Sequence, residues 1–222
     1  MGFLKRTILS LGYGPLRAVH RARQSVGSGA PGRLRALLFH DIPADQREAF
    51  SAQLQWLART WIFVSPDQFA RMISGAEPVT RDSLLLTFDD GFQSNRIVVE
   101  EILNPNGIRA LFFIISRFAE LREAEDQRRF ISEHLYPHSS GENVPGDLAT
   151  MGAMTHDDLK FLVKSGHTIG AHGATHTRLS EIGDRRGLAE EIVRGADLLQ
   201  DELGVEIEHF AFGFGNLASF SP

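Results

Sequence analysis

The chain has 222 residues, 42% of them hydrophobic and 23% charged, a balance that fits one globular domain and excludes a disordered chain. A net charge of -5 and a pI near 6.0 speak against nucleic acid as the partner, because phosphate binding needs a basic surface. With no cysteine, disulfides, thiolate zinc sites, iron–sulfur clusters and cysteine nucleophiles are all excluded, although this fixes no compartment.

The amino terminus departs from that average. Lys5, Arg6, Arg17, Arg21, Arg23, Arg33 and Arg35 precede the first acid, Asp41, which leaves the rest of the chain with 16 basic and 28 acidic residues. The apolar stretch at 7–16 is broken by Gly12, Gly14 and Pro15. It is too short to span a bilayer, which takes about 20 residues. No small-x-small cleavage site follows it before the next arginines, which makes it a poor signal peptide. Residues 25–32 (SVGSGAPG) read as a linker. The expectation is therefore a basic arm and linker at 1–33. That arm is either solvated or in peripheral contact with anionic lipid or a partner. A cytoplasmic or membrane-peripheral location is expected over a secreted one.

From residue 34 short apolar runs alternate with stretches of helical spacing. Strands are expected at 34–39, 84–88, 110–115, 167–171 and 209–212. Between them, 47–59 places Phe50, Leu54 and Leu57 on one helical face, and 94–103 does the same with Ile97, Val98, Glu101 and Ile102. Residues 117–150 interrupt the rhythm with many charges and are expected to be an insertion beside a strand end, either one wall of a binding groove or a helical surface excursion. Thr155 is placed to cap a helix over 155–164, with Asp157 and Asp158 at its positive end. A last helix spans 188–203 and ends at Gly204. Strand–helix alternation with continuous apolar strands predicts an α/β fold with a parallel sheet, as an open sheet or a barrel. In either arrangement functional groups sit at the carboxyl ends of strands.

Two strand ends carry chemistry. The run Leu84–Phe88 leads into Asp89-Asp90-Gly91. Adjacent carboxylates repel and are costly to desolvate, and a divalent cation is the simplest compensation. Asp90 has a second reading as the cap of the helix near Ser94. The strand at 167–171 runs into His172-Gly-Ala-Thr-His176. On a helical turn this spacing of four puts both imidazoles on one side, able to share a metal with a carboxylate from the other strand end. His167 reads as a hydrogen-bonded core histidine. His134 and His138 fall in an irregular polar stretch and are expected to be solvated. His40 ends the first strand and is a further candidate for the active site.

Thr87-Phe88-Asp89-Asp90-Gly91 followed by His172-Gly-Ala-Thr-His176 resembles the polysaccharide deacetylase (NodB-homology) family of carbohydrate esterases, with its T-F-D-D-G and H-[ST]-x-x-H motifs. The likeness extends to Leu37-Leu38-Phe39-His40-Asp41-Ile42, to Phe50, Leu54 and Leu57, and to Gly166-His167-x-Ile169-Gly170. It covers the chain from about Leu34 to its last residue.

The resemblance implies a distorted or incomplete (β/α) barrel over 34–222. It implies a hydrolase of linear amides that removes N-acetyl groups from a polysaccharide or oligosaccharide. Asp89 is then the general base that takes a proton from water. Asp90, His172 and His176 bind the metal, zinc or another divalent ion, and the partner is an N-acetylated glycan. Such a metal polarises the acetyl carbonyl and lowers the pKa of its water. The sequence departs from the family pattern in three places. Gly173 stands where Ser or Thr is common. Gly213 stands where the third motif has proline, with no arginine before it. After Gly215 no Leu-His segment supplies the family's general acid, so the domain is expected to be short at its C-terminal end. The alternative is a glycan-binding or interaction module of the same fold with little or no turnover.

Overall fold

The computed structural model of the chain describes residues 32–137, 151–215 and 219. The basic arm, His138 and the end of the insertion lie outside the described residues. Five strands form one parallel sheet: β1 (Leu34–Phe39), β2 (Ile62–Phe63), β3 (Ser83–Phe88), β4 (Leu111–Ile114) and β5 (Thr168–Ala171). Their order is β1-β3-β4-β5. β1 pairs with β3 along its whole length, from Leu34↔Ser83 to Phe39↔Phe88. On the other side β3 takes β2 at its start and β4 at Thr87 and Phe88.

β3 is the centre of the fold, with every residue buried. Leu84, Leu86 and Phe88 point into the main core, together with Phe112, Ile114 and Ile169. Phe88 stacks on Phe112 at 4.9 Å between ring centroids, and Phe39 meets Phe50 edge-on at 5.0 Å. This core is roofed by α1 (Arg47–Ala58) through Phe50 and Leu54, by α3 (Gln93–Val98, continued as a π-helical turn Val99–Leu103), and by α6 (His156–Lys164) through Leu159 and Leu162. α6 opens with a capping box: Thr155 accepts from the Asp158 amide and Asp158 accepts from the Thr155 amide. The helix expected at 188–203 starts earlier. It runs through Arg185–Leu188, a π-helical stretch Ala189–Arg194 and Gly195–Leu203, here together called α7, and Gly204 ends it at φ +66°.

The opposite face of the sheet carries Leu85, Leu111 and Phe113. With Ala36, Leu38 and helix α2 (Pro66–Ile73) these side chains line an apolar groove of about 480 Å³. Among the described residues the strands do not close into a barrel: beyond β5 they add only one bridge, from Ala171 to Phe210. The strand expected at 209–212 is reduced to that bridge. β1 also differs from the continuous buried run that its sequence suggests. Arg35, Ala36 and Leu38 are exposed, because β1 is an edge strand with one neighbour.

The insertion begins as α4 (Ser116–Glu120) and α5 (Ala124–Phe130), followed by a π-helical turn Ile131–Leu135. It builds a second small core of Phe92, Ile115, Phe118, Phe130 and Ile131 against the end of β4.

Candidate metal centre

Three strand ends meet at one cavity of about 540 Å³, lined among others by His40, Asp90, Tyr136, His172, His176 and Phe214. β1 delivers His40 and Asp41, β3 delivers Asp89 and Asp90, and β5 delivers His172. Asp90 turns back at once, at φ +74°, and Gly91 follows at +91°. Asp90 does not cap the following helix: Phe92 holds the N-cap position of α3, with no side-chain cap. Instead its carboxylate faces the two histidines.

His172 and His176 do not share a helical turn. They flank a loop that passes through Gly173 at φ +82° and ends with His176 itself at φ +65°. The rings still come together, 4.9 Å apart between centroids, because the loop folds back on itself rather than winding forward. A non-glycine residue in the left-handed region costs of order 1–2 kcal/mol. Asp90 and His176 both carry that strain, and both belong to the same cluster.

One donor atom each from Asp90, His172 and His176 lies within 4.8 Å of the others, and all three residues are buried. His172 Nε2 is 3.6 Å from Asp90 Oδ1, and His176 Nε2 is 3.8 Å from the same oxygen. The other ring nitrogens are committed. His172 Nδ1–H donates to the Ala211 carbonyl at 3.0 Å, and His176 Nδ1–H donates to the His134 carbonyl at 3.2 Å. A carbonyl only accepts, so each neutral ring carries its proton on Nδ1 and turns the Nε2 lone pair toward Asp90. Burial holds the His172 pKa down at about 4 and lowers that of His176, so both rings are neutral near pH 7. These are therefore not salt bridges, although the distances alone suggest them. They are lone pairs converging on a carboxylate.

Asp89 lies beside the cluster, its Oδ2 3.9 Å from His172 Nε2, rather than on the cavity wall. Asp89 Oδ1 and Asp90 Oδ1 are buried with no hydrogen-bond partner. Burial pushes the Asp89 pKa up to about 7; burial and the neighbouring Asp89 push Asp90 up to about 8. Unpartnered buried acceptors and outward-turned imidazole lone pairs are the donor set of a divalent cation, and such an ion reverses the upward push on the carboxylates. The residues present fit a metal.

Sequence reasoning missed several neighbours. His134, expected to be solvated, is half-buried and stacks on Phe130 at 4.4 Å, and its backbone carbonyl orients His176. Phe214 packs against His176 at 4.4 Å between ring centroids, and the Arg178 guanidinium lies over the Phe214 ring, 3.9 Å from its centre. Leu135 and Tyr136 from the insertion stand on the cavity wall. Burial raises the Tyr136 pKa, with further upward contributions from Asp90 and Asp41. His167 is the core histidine its sequence context suggests: Nδ1 accepts from the Ala110 amide at 3.1 Å and Nε2–H donates to Asn104 Oδ1 at 3.2 Å.

Among solved structures, IcaB from Ammonifex degensii superposes with a TM-score of 0.65 at 23% identity, covering 86% of this chain and 78% of that one. The Streptococcus pyogenes deacetylase PplD, solved in complex with acetate, gives 0.62 at 18% identity, with 86% and 78% covered. The BpsB deacetylase domain from Bordetella bronchiseptica gives 0.59 at 16% identity, with 86% and 85% covered. At these identities the likeness shows the shared fold. No curated protein sequence gives a significant match. The polysaccharide deacetylase family model matches residues 76–219, well over half of the sequence. That span contains both strand ends that build the cluster of Asp90, His172 and His176, and the chain belongs to the polysaccharide deacetylase family of carbohydrate deacetylases.

Proposed function

We propose that the protein hydrolyses the N-acetyl group of a sugar in a polysaccharide or oligosaccharide, with a divalent cation, zinc first, held by Asp90, His172 and His176. The observation that carries this reading is the convergence of three ligand atoms within 4.8 Å, with both imidazole tautomers fixed by backbone carbonyls. A cation there polarises the acetyl carbonyl and lowers the pKa of water.

The chain's own residues do the rest. Asp89 stands next to His172 with one oxygen free of any partner and serves as the general base for the attacking water. His40 reaches the same cavity from the end of β1 as a further active-site residue, its pKa lowered by burial; the proton that Asp89 takes from water is the one the departing nitrogen receives. Water adds to the acetyl carbon, the carbon–nitrogen bond breaks, and acetate and a free amine leave. Leu135 and Tyr136 support the reading of the 117–150 insertion as one wall of the glycan groove, appended to a deacetylase domain at 34–222 that follows the arm at 1–33. No described helix is long and apolar enough to cross a membrane. Contact of the arm with anionic lipid is part of the proposal.

The test is acetate release from N-acetylglucosamine oligomers by the zinc-loaded protein, beside Asp89→Asn. Release that the substitution abolishes supports the enzyme. Binding of the oligomers with no release, before and after substitution, selects the glycan-binding module instead.

A further inference from the structure

Glu191 is 5% exposed, an uncommon place for a carboxylate that forms no ion pair among the described residues. It sits in the π-helical stretch of α7, where the widened turn aims it at the loop between His172 and His176. Its carboxylate accepts four contacts from that loop. Oε1 takes the Thr175 amide at 3.0 Å and the Thr177 amide at 3.1 Å; Oε2 takes the Thr175 amide at 3.1 Å and the Thr175 hydroxyl at 2.8 Å. Its backbone carbonyl takes the Ala174 amide at 2.8 Å. One residue thus holds the amides of Ala174, Thr175 and Thr177, on both sides of His176.

Two glycines make this approach possible. A Cβ on Gly173 would lie 2.5 Å from Glu191 Oε1, and a Cβ on Gly195 would lie 2.8 Å from the Ala174 amide nitrogen. Gly195 opens the last segment of α7, a position where glycine costs about 1 kcal/mol against alanine. Contact between helix and loop is therefore specified at both positions. It also accounts for Gly173, which stands where the family commonly has a hydroxyl residue. Here the loop is tied by a carboxylate from the neighbouring helix, and that carboxylate occupies the space a side chain at 173 would fill.

We propose that Glu191 is a positioning residue, whose carboxylate holds the loop in the left-handed turn that sets His176 Nε2 toward Asp90. The inference rests on the reading of Asp90, His172 and His176 as a cation site. It assigns no contact with substrate to Glu191.

The experiment uses the full chain, with Co²⁺ as the probe, and follows both affinity and the visible absorption bands of the bound ion. Wild type, Glu191→Gln, Glu191→Ala and His172→Ala are compared, and thermal unfolding of each metal-free protein is recorded. Glu191→Ala is expected to bind Co²⁺ about 10–100-fold more weakly, with a changed spectrum. Glu191→Gln keeps a carbonyl oxygen for the Thr175 and Thr177 amides and is expected to fall between Ala and wild type in both readouts. Should the alanine variant fail to fold, the glutamine variant decides by its spectrum and affinity. Wild-type affinity and spectrum in folded Glu191 variants, against lost binding in His172→Ala, overturn the positioning role alone. Failure of the wild type itself to bind Co²⁺ overturns the cation site and the positioning role together.

Discussion

His172 Nε2 lies 3.6 Å from Asp90 Oδ1, and the proton of the His172 ring is held on the opposite nitrogen by the Ala211 carbonyl. The pair is therefore arranged around something other than a hydrogen bond between its members. Nitrogen lone pair and carboxylate oxygen both offer electrons, and the space between them suits a cation, whose charge would keep the carboxylate ionised.

The protein is expected to hold about one zinc-like ion per chain after reconstitution, read by elemental analysis. His172→Ala removes one of the three proposed ligands and is expected to bring the metal content close to zero. An unchanged content in that variant contradicts the ligand set.

Asp89 and His40 are expected to separate from the ligands in their effects. Asp89→Asn and His40→Ala should each lower kcat by roughly 10²–10⁴ while leaving metal content near the wild-type value. Acetate release measured beside elemental analysis checks this. Loss of metal in either variant moves that residue from the chemistry of the cavity to metal binding.

His167 gives the fold an acid limit. Burial and then Arg109 lower its pKa to about 4 from the 6.5 of a free histidine. The unfolded chain takes up a proton near pH 6.5 and the folded chain does not until about pH 4. Stability is thus fully present above pH 6.5 and falls as pH drops through that window, by an order of about 3 kcal/mol. Urea unfolding of wild type and His167→Gln at both ends of the window is the measurement. The glutamine variant is expected to show a shallower loss, and parallel curves contradict the assignment.

Phe112→Ala is expected to destabilise the domain by about 3–5 kcal/mol, because the ring is fully buried and stacks on Phe88. Chemical denaturation reads this directly. A cost below about 1 kcal/mol would mean the core collapses around the gap.

The strands that carry the site were legible because apolar runs end abruptly in charged residues: Phe88 in Asp89-Asp90, Ala171 in His172. The conformation of the histidine loop was not. A spacing of four suggests a helical turn, and nothing in His-Gly-Ala-Thr-His announces that the chain visits positive φ twice instead. The orienting partners were equally hidden. Two of them are backbone carbonyls, of Ala211 and His134, and a carbonyl leaves no trace in residue type. Glu191 is the second of two adjacent glutamates on a helix, and only tertiary packing distinguishes the buried one from its neighbour. β2 is two residues long, below the length at which a pattern exists, whereas α2 did carry a signal in Ser65-Pro66, a capping serine and a proline at the first helical position. The edge position of β1 cannot be read locally, because exposure there depends on which strands fail to arrive.

Among the described residues, an apolar trough of about 480 Å³ lies between the sheet and α2, with Leu38 50% exposed and Ile73 67% exposed along it. Fluorescent dyes that report unfolding by partitioning onto oily surface will find such a surface before any heat is applied. A melting curve followed with such a dye begins from a bright native baseline, and intrinsic tryptophan emission is the sounder signal for this molecule.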